Sequence, residues 1–158
     1  SGSQILIFSQ FTTMLDLIAD ELKKQQIDYL ILTGATKSSA RMHMVSQFND
    51  GRIPVFLISL KAGGVGLNLT AADTVIHFDP WWNISAQNQA TDRAHRIGQD
   101  KKVHVIKLIA KDTIEEKIEI LQNKKKNLTD AIITEGQTFL TQLNQNELED
   151  LFSFQIYQ

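Results

Sequence analysis

Cysteine is absent from the 158 residues, which excludes a disulfide framework, cysteine-ligated zinc, an iron–sulfur cluster and a thiol nucleophile. No apolar run approaches the length of a bilayer span, and the first residues do not read as a secretory signal. A GxxxxGK[ST] phosphate loop, a GxGxxG opening the first unit and an HExxH helix are all missing. The four histidines are scattered, so a histidine metal site is not expected. A chain of this length buries roughly two-thirds of the surface it exposes when unfolded, enough to fold without staples. With 42% hydrophobic and 22% charged residues, it has the composition of an ordinary, cytoplasmic-type globular domain.

One-sided charge is lacking too. Sixteen basic against eighteen acidic residues leave a net charge of -2. That argues against a domain that coats itself in nucleic acid by bulk charge, but leaves room for a local row of phosphate contacts. The balance shifts along the chain. Residues 1–100 carry -1, residues 101–130 carry +3 around Lys124-Lys125-Lys126, and residues 131–158 carry -4.

Five short apolar runs read as strands: Gln4 to Ser9, Tyr29 to Leu32, Val55 to Ser59, Thr74 to Phe78 and Val103 to Ile109. Between them the period changes. From about Phe11 to Gln26, residues Met14, Leu15, Ile18, Ala19 and Leu22 recur at helical spacing. A second helix is expected from about Ser38 to Phe48, carrying Met42, Val45 and Phe48 inward and stopped by Gly51. A glycine-rich turn, Lys61 to Gly66, follows the third strand. Asp79-Pro80-Trp81-Trp82-Asn83 turns after the fourth, and a more polar helix is expected from Ser85 to His95. Apolar strands alternating with helices indicate an α/β fold, a mostly parallel sheet covered on both faces. Right-handed crossovers then bring the loops after each strand to one rim, where open α/β sheets place their chemistry.

Beyond Lys111 the pattern is helical. Asp112 or Thr113 can cap a helix that begins Ile114-Glu115-Glu116 and presents Ile114, Ile118 and Leu121 as a stripe toward Leu128, Ile132 and Ile133. One more short helix is expected around Asn146 to Leu151 in the acidic tail. Ser1-Gly2-Ser3 reads as a cloning scar or the end of a linker.

Two constellations carry chemistry. Ser59, Lys61 and the amides of Gly63-Gly64-Val65-Gly66 form a nest suited to a phosphate, although such a run also serves simply as a tight strand-to-helix turn. In Gln89-Ala90-Thr91-Asp92-Arg93-Ala94-His95-Arg96-Ile97-Gly98-Gln99, the arginines at 93 and 96 share one helix face and can aim two guanidinium forks at one anion. The alternative is a solvated face with incidental arginines. His77, within a strand, reads as structural. Trp81-Trp82 reads as a packing anchor or as an interaction site. Lys124 to Lys126 reads as a solvated face or the extension of a phosphate track.

Taken in order, Ile5 to Phe11, Ser59 to Asp73, Asp79 to Asn83 and Gln89 to Gln99 resemble the C-terminal RecA-like lobe of the SWI/SNF-related ATPases. These are superfamily-2, helicase-like translocases of double-stranded DNA with bacterial and chromatin-remodelling members. The resemblance runs from about Gln4 to Leu121. It implies a three-layer α/β/α lobe over 4–111, a brace-like helical extension over 112–135, and an acidic tail over 136–158. It also implies roles by position. Arg93 and Arg96 would be arginine fingers, with Gly66, Asn68 and Gln89 toward the same ATP cleft. Ser9, Gln10, Gly34, Arg41, Ser59, Lys61, Gly63 and Gly64 would lie on the DNA side.

ATP and Mg2+ would be held mainly by a first lobe of the same polypeptide, so this lobe alone would lack turnover. The implied partners are that N-terminal RecA-like lobe, double-stranded DNA and a protein or nucleoprotein substrate, with no membrane. The implied location is cytoplasmic, nucleoid-associated in a bacterium. Two departures stand out: Thr33 precedes Gly34 where an acidic residue is usual, and Gln87 removes a carboxylate usual beside the arginine helix. A protein-interaction module of the same machine, or a lobe of a strand-separating helicase, are the other readings.

Overall fold

The computed structural model describes residues 2–63, 67–79, 90–92, 94, 102–126 and 144–152. Five strands, β1 (Ile5–Ser9), β2 (Tyr29–Leu32), β3 (Val55–Ser59), β4 (Thr74–His77) and β5 (His104–Lys107), form one sheet in the order β2-β3-β1-β4-β5. Every pairing is parallel. Helices α1 (Thr12–Lys24), α2 (Ser38–Asn49) and the short α3 (Leu60–Gly63) intervene. Helices α4 (Ile114–Lys126) and α5 (Gln145–Phe152) follow. The chain forms two compact units, the sheet with its helices up to Leu108, and a second unit from Ile109 onward.

Side chains of successive strand residues point to opposite faces, and here both faces are apolar. Leu6, Phe8, Leu32, Phe56, Ile58 and Val75 bury against Phe48 of α2, Ala90 and Ala94. On the opposite face Val55 and Leu57, with Ile7, Tyr29 and Ile31 beside them, pack against Leu15 and Ala19 of α1. The layering follows from handedness. The first crossover runs from β1 past β3 to β2 and lays α1 on one face. The later connections travel the other way and, if right-handed, must lie on the other. Phe48 and Phe56 meet at 5.5 Å between ring centroids and 52° between planes, a tilted pair that adds about 1 kcal/mol to the burial of its rings.

Strand positions agree with expectation. The helix expected from Ile114 starts there, with its continuation toward Leu128, Ile132 and Ile133 outside the described residues, and α5 forms close to its expected bounds. Three details differ. Met42 is 71% exposed, not inward. The face defined by Phe48 runs through Val45 and Met44, and Met42 falls off that stripe. The expected turn from Lys61 starts as helix, since Leu60–Gly63 complete a turn of α3. The fifth strand is shorter than expected and exposed along its length, because it forms the edge of the sheet.

Helix ends are set locally. Gly51 at φ +74 donates to the Phe48 carbonyl at 3.0 Å while Arg52 N–H reaches Gln47 at 3.2 Å, a Schellman stop of the expected kind. The α4 cap is settled in favour of Thr113, whose hydroxyl accepts the Glu115 N–H at 3.2 Å. In α5, Asn144 and Glu147 exchange side-chain and backbone bonds at 2.9 Å, a reciprocal capping box. Helix α1 ends in the same Schellman pattern as α2, with Gln26 N–H on Lys23 and Ile27 N–H on Leu22, but a glutamine occupies the left-handed position at φ 56. Gln26→Gly should therefore stabilise the chain by about 0.5–1 kcal/mol, relief of left-handed strain outweighing the added freedom of the unfolded chain. A urea unfolding midpoint that falls instead would contradict this account of the helix end.

Candidate functional site

The parallel sheet puts the carboxyl ends of β2, β3, β1 and β4 along one rim. By strand order the chain leaves β1 for β2 and β4 for β5, so the β1/β4 boundary is the switch point at which open α/β sheets place their sites. Ser9 lies opposite Ser59 in the β1/β3 ladder. Both serines are buried. The Ser9 hydroxyl accepts the Phe11 N–H and donates to the Phe11 carbonyl, each at 3.1 Å. The Ser59 hydroxyl accepts the Ala62 N–H at 3.3 Å and so caps α3. Their side chains hold the loops; the exposed group next to them is Lys61, on the first turn of α3.

At the end of β2, Thr36 N–H closes a turn on the Thr33 carbonyl at 3.1 Å, and Thr33 N–H donates to the Thr36 hydroxyl at 3.0 Å. Arg41 reaches back from α2, its Nε donating to Thr36 O at 2.9 Å and one Nη to Gly34 O at 3.4 Å. The guanidinium thus shapes the Gly34 loop. Gly34 itself is outside the positive-φ region and has nothing within 4 Å of where a Cβ would sit. No contact among the described residues requires a glycine there.

Asn68 is exposed between buried Leu67 and Leu69. Asn49, the last residue of α2, clamps this segment by donating to Asn68 O at 2.9 Å and accepting the Ala71 N–H at 3.3 Å. Gly63 closes α3. Gly64, Gly66, Gln89, Arg93 and Arg96 lie outside the described residues, as do Trp81 and Trp82. The arginine segment is represented by Ala90 and Ala94, both buried in the core, by half-buried Thr91 and by exposed Asp92.

Two side chains to which sequence reasoning gave no site role lie at the end of β4. Asp79, buried, accepts the Gln10 N–H with both carboxylate oxygens, at 2.9 and 3.2 Å. His77 is 1% exposed, stacks on Phe8 at 5.7 Å, and meets the Thr91 hydroxyl through Nε2 at 3.0 Å. Its Nδ1 has no hydrogen-bond partner among the described residues. Burial, reinforced by the Lys107 ammonium, pushes the imidazole from 6.5 down to about 4. Strand context correctly marked His77 as structural, but its partner lies across a tertiary contact that no local pattern encodes.

The helicase conserved C-terminal domain matches residues 1–98, a span that takes in the whole rim and both arginines. The chain belongs to that family. It is 47% identical over 150 residues to an uncharacterized ATP-dependent helicase of Mycoplasma genitalium, covering 94% of this chain and 14% of that protein. The SWI2/SNF2 ATPase core domain of Sulfolobus solfataricus superposes with a TM-score of 0.76 at 38% identity, over 98% of this chain and 32% of that one. The C-terminal part of the Fun30 ATPase domain gives 0.73 at 36% identity, over 94% of this chain and 46% of the other. The fold is thus RecA-like, and the chain resembles the C-terminal lobe of SWI2/SNF2 ATPases while spanning a minor part of each relative.

Because the folded chain holds His77 neutral, it binds fewer protons than the unfolded chain between pH 6.5 and about 4. The stability this contributes is complete above pH 6.5 and is lost as the pH falls through 4, about 3 kcal/mol in all. Among the described residues, the charged group that faces the ring is Lys107, its partner in the β4/β5 ladder. Asp79 is turned to Gln10 and Asp92 is exposed. Denaturant titrations between pH 7 and 4 should show a shallower loss for His77→Gln than for the parent sequence. Parallel slopes would assign the acid sensitivity elsewhere.

Proposed function

We propose that this chain is the second motor lobe of an ATP-dependent double-stranded DNA translocase or remodeller, which completes an ATP site rather than containing one. The observation that carries the reading is the family match over residues 1–98, which unites the arginine motif with the strand-end rim. In the longer parent protein, Arg93 and Arg96 stabilise charge developing on the transferred phosphoryl group. Gly66, Asn68 and Gln89 line the same cleft. Guanidinium and amide donors suit a polyphosphate anion, and ATP supplies the transferable phosphoryl. The nucleotide and its magnesium are held mainly by the first lobe, whose phosphate loop has no counterpart in this sequence.

On the DNA side, Gln10, Lys61 and the open backbone at Gly34 face a phosphate track, with Gly63 and Gly64 beside them. Arg41, Ser9 and Ser59 hold the loops that present these groups, consistent with their hydrogen bonds to local backbone. Such contacts position a duplex without reading it, so sequence preference is weak. A near-neutral lobe suffices for a narrow row of contacts. A strand-separating helicase is the second reading, prompted by the name of the Mycoplasma relative. Unwinding of a blunt duplex by the parent would favour it; translocation without unwinding favours the first.

The isolated chain should show no magnesium-dependent ATP turnover above background in a coupled phosphate-release assay; vigorous turnover would sink the two-lobe reading. In the parent, Arg93→Ala or Arg96→Ala should lower kcat by about a thousandfold or more, with little change in DNA affinity by fluorescence anisotropy. Gly34→Ala meets no clash among the described residues, so it should fold normally yet weaken DNA binding several-fold. Unaltered DNA affinity would remove Gly34 from the track.

A further inference from the structure

His77 and Asp79 stand two residues apart at the carboxyl end of β4, and each reaches a different part of the rim. The His77 imidazole meets Thr91, two residues ahead of Arg93 in the chain. The Asp79 carboxylate fixes the Gln10 N–H at the start of the loop after β1. The frame between them is rigid. Phe78 N–H donates to Phe8 O at 2.9 Å, Leu108 N–H donates to His77 O at 2.9 Å, and the His77 ring lies within 20° of parallel to Phe8. With Nδ1 unpartnered among the described residues, Nε2 is the ring atom that anchors the imidazole. Ala90 and Ala94 bury on either side of Thr91, so the tie to His77 comes from the part of the segment already packed into the core.

We propose that the end of β4 is a coupling junction, at which His77 positions the arginine segment through Thr91 while Asp79 positions the β1 loop through Gln10. Neither residue touches ATP or DNA; both act through another group. The inference rests on the function proposed above and adds the physical link between its two halves. Thr91, two residues before Arg93, and the Gln10 N–H are thereby tied by side-chain hydrogen bonds to one short strand end.

The test uses the full-length parent and steady-state ATP turnover, titrated with ATP at saturating DNA and with DNA at saturating ATP. His77→Phe keeps the stacked ring and deletes the nitrogen, and Thr91→Val deletes the hydroxyl. Each should lower kcat about tenfold with little change in KM for ATP, since a small misplacement of a catalytic group has effects of this order. The double variant should be no worse than either single, and His77→Gln, whose amide can hydrogen-bond the Thr91 hydroxyl near the Nε2 position, should recover most of the rate.

Asp79→Ala should raise the DNA concentration for half-maximal stimulation about tenfold, the effect of losing a charge-assisted hydrogen bond, and Asp79→Asn, which keeps an acceptor oxygen, should restore it. Circular dichroism identifies any variant that fails to fold; Thr91→Val, at a half-buried position, carries the ATP arm if His77→Phe does. Additive losses in the double variant would overturn the junction, as would normal kinetics in folded variants or loss of the same parameter in both arms. If Arg93→Ala turns over normally or the parent ignores DNA, the proposed function itself fails. If both controls behave as expected and the β4 variants match the parent, only the junction falls.

Discussion

The double pairing of β1, with β3 along one edge and β4 along the other, is the constraint on which the rest of the structure depends. Parallel ladders without slippage bring Ser9 level with Ser59 and Phe8 level with His77. A shift of one residue would exchange Leu6 and Phe8 for Ile7 on the α2 face and move every side chain of the strand to the other layer. Because both layers are close-packed, the register is specified twice over. The points at which the loops leave the carboxyl rim follow from it.

Much of the fold was legible because buried parallel strands are apolar on both sides, which leaves compact runs such as Val55 to Ser59 between polar segments. The stripe of α1 and the glycine stop of α2 were legible for equally local reasons. Where reading failed, the missing information was non-local. Met42 and Met44 both suit a helix, and only the direction in which Phe48 meets Phe56 decides between them. Val103 to Ile109 looks like any inner strand, and its place at the edge depends on the order of the whole sheet. The rim could be foreseen as a place. The ties from Asp79 to Gln10, across 69 positions, and from Asn49 to the Asn68 segment, across 19, could not.

Most of the hydroxyls and amides that mark the rim in the sequence bond to the protein's own backbone. Ser9, Thr36, Asn49 and Ser59 each satisfy a main-chain group where a strand or helix ends. Removing one would leave a donor or acceptor stranded, at a cost of about 1–3 kcal/mol where it is buried. A polar motif at a strand end therefore has two layers of meaning. Some members build the loop, and others, such as Lys61, extend from it. Residue type alone does not separate the two; burial does.

The outermost strand joins two matters that look unrelated. β5 is four residues long and closes with Lys107, a short rung and a cation that make a poor template for another chain to pair with. The ladder sets that ammonium opposite His77, where it disfavours a second positive charge on the ring. One side chain thus discourages unwanted strand addition from outside and adds to the burial that already keeps the imidazole within proton-silent at neutral pH. Replacing it would loosen both safeguards together.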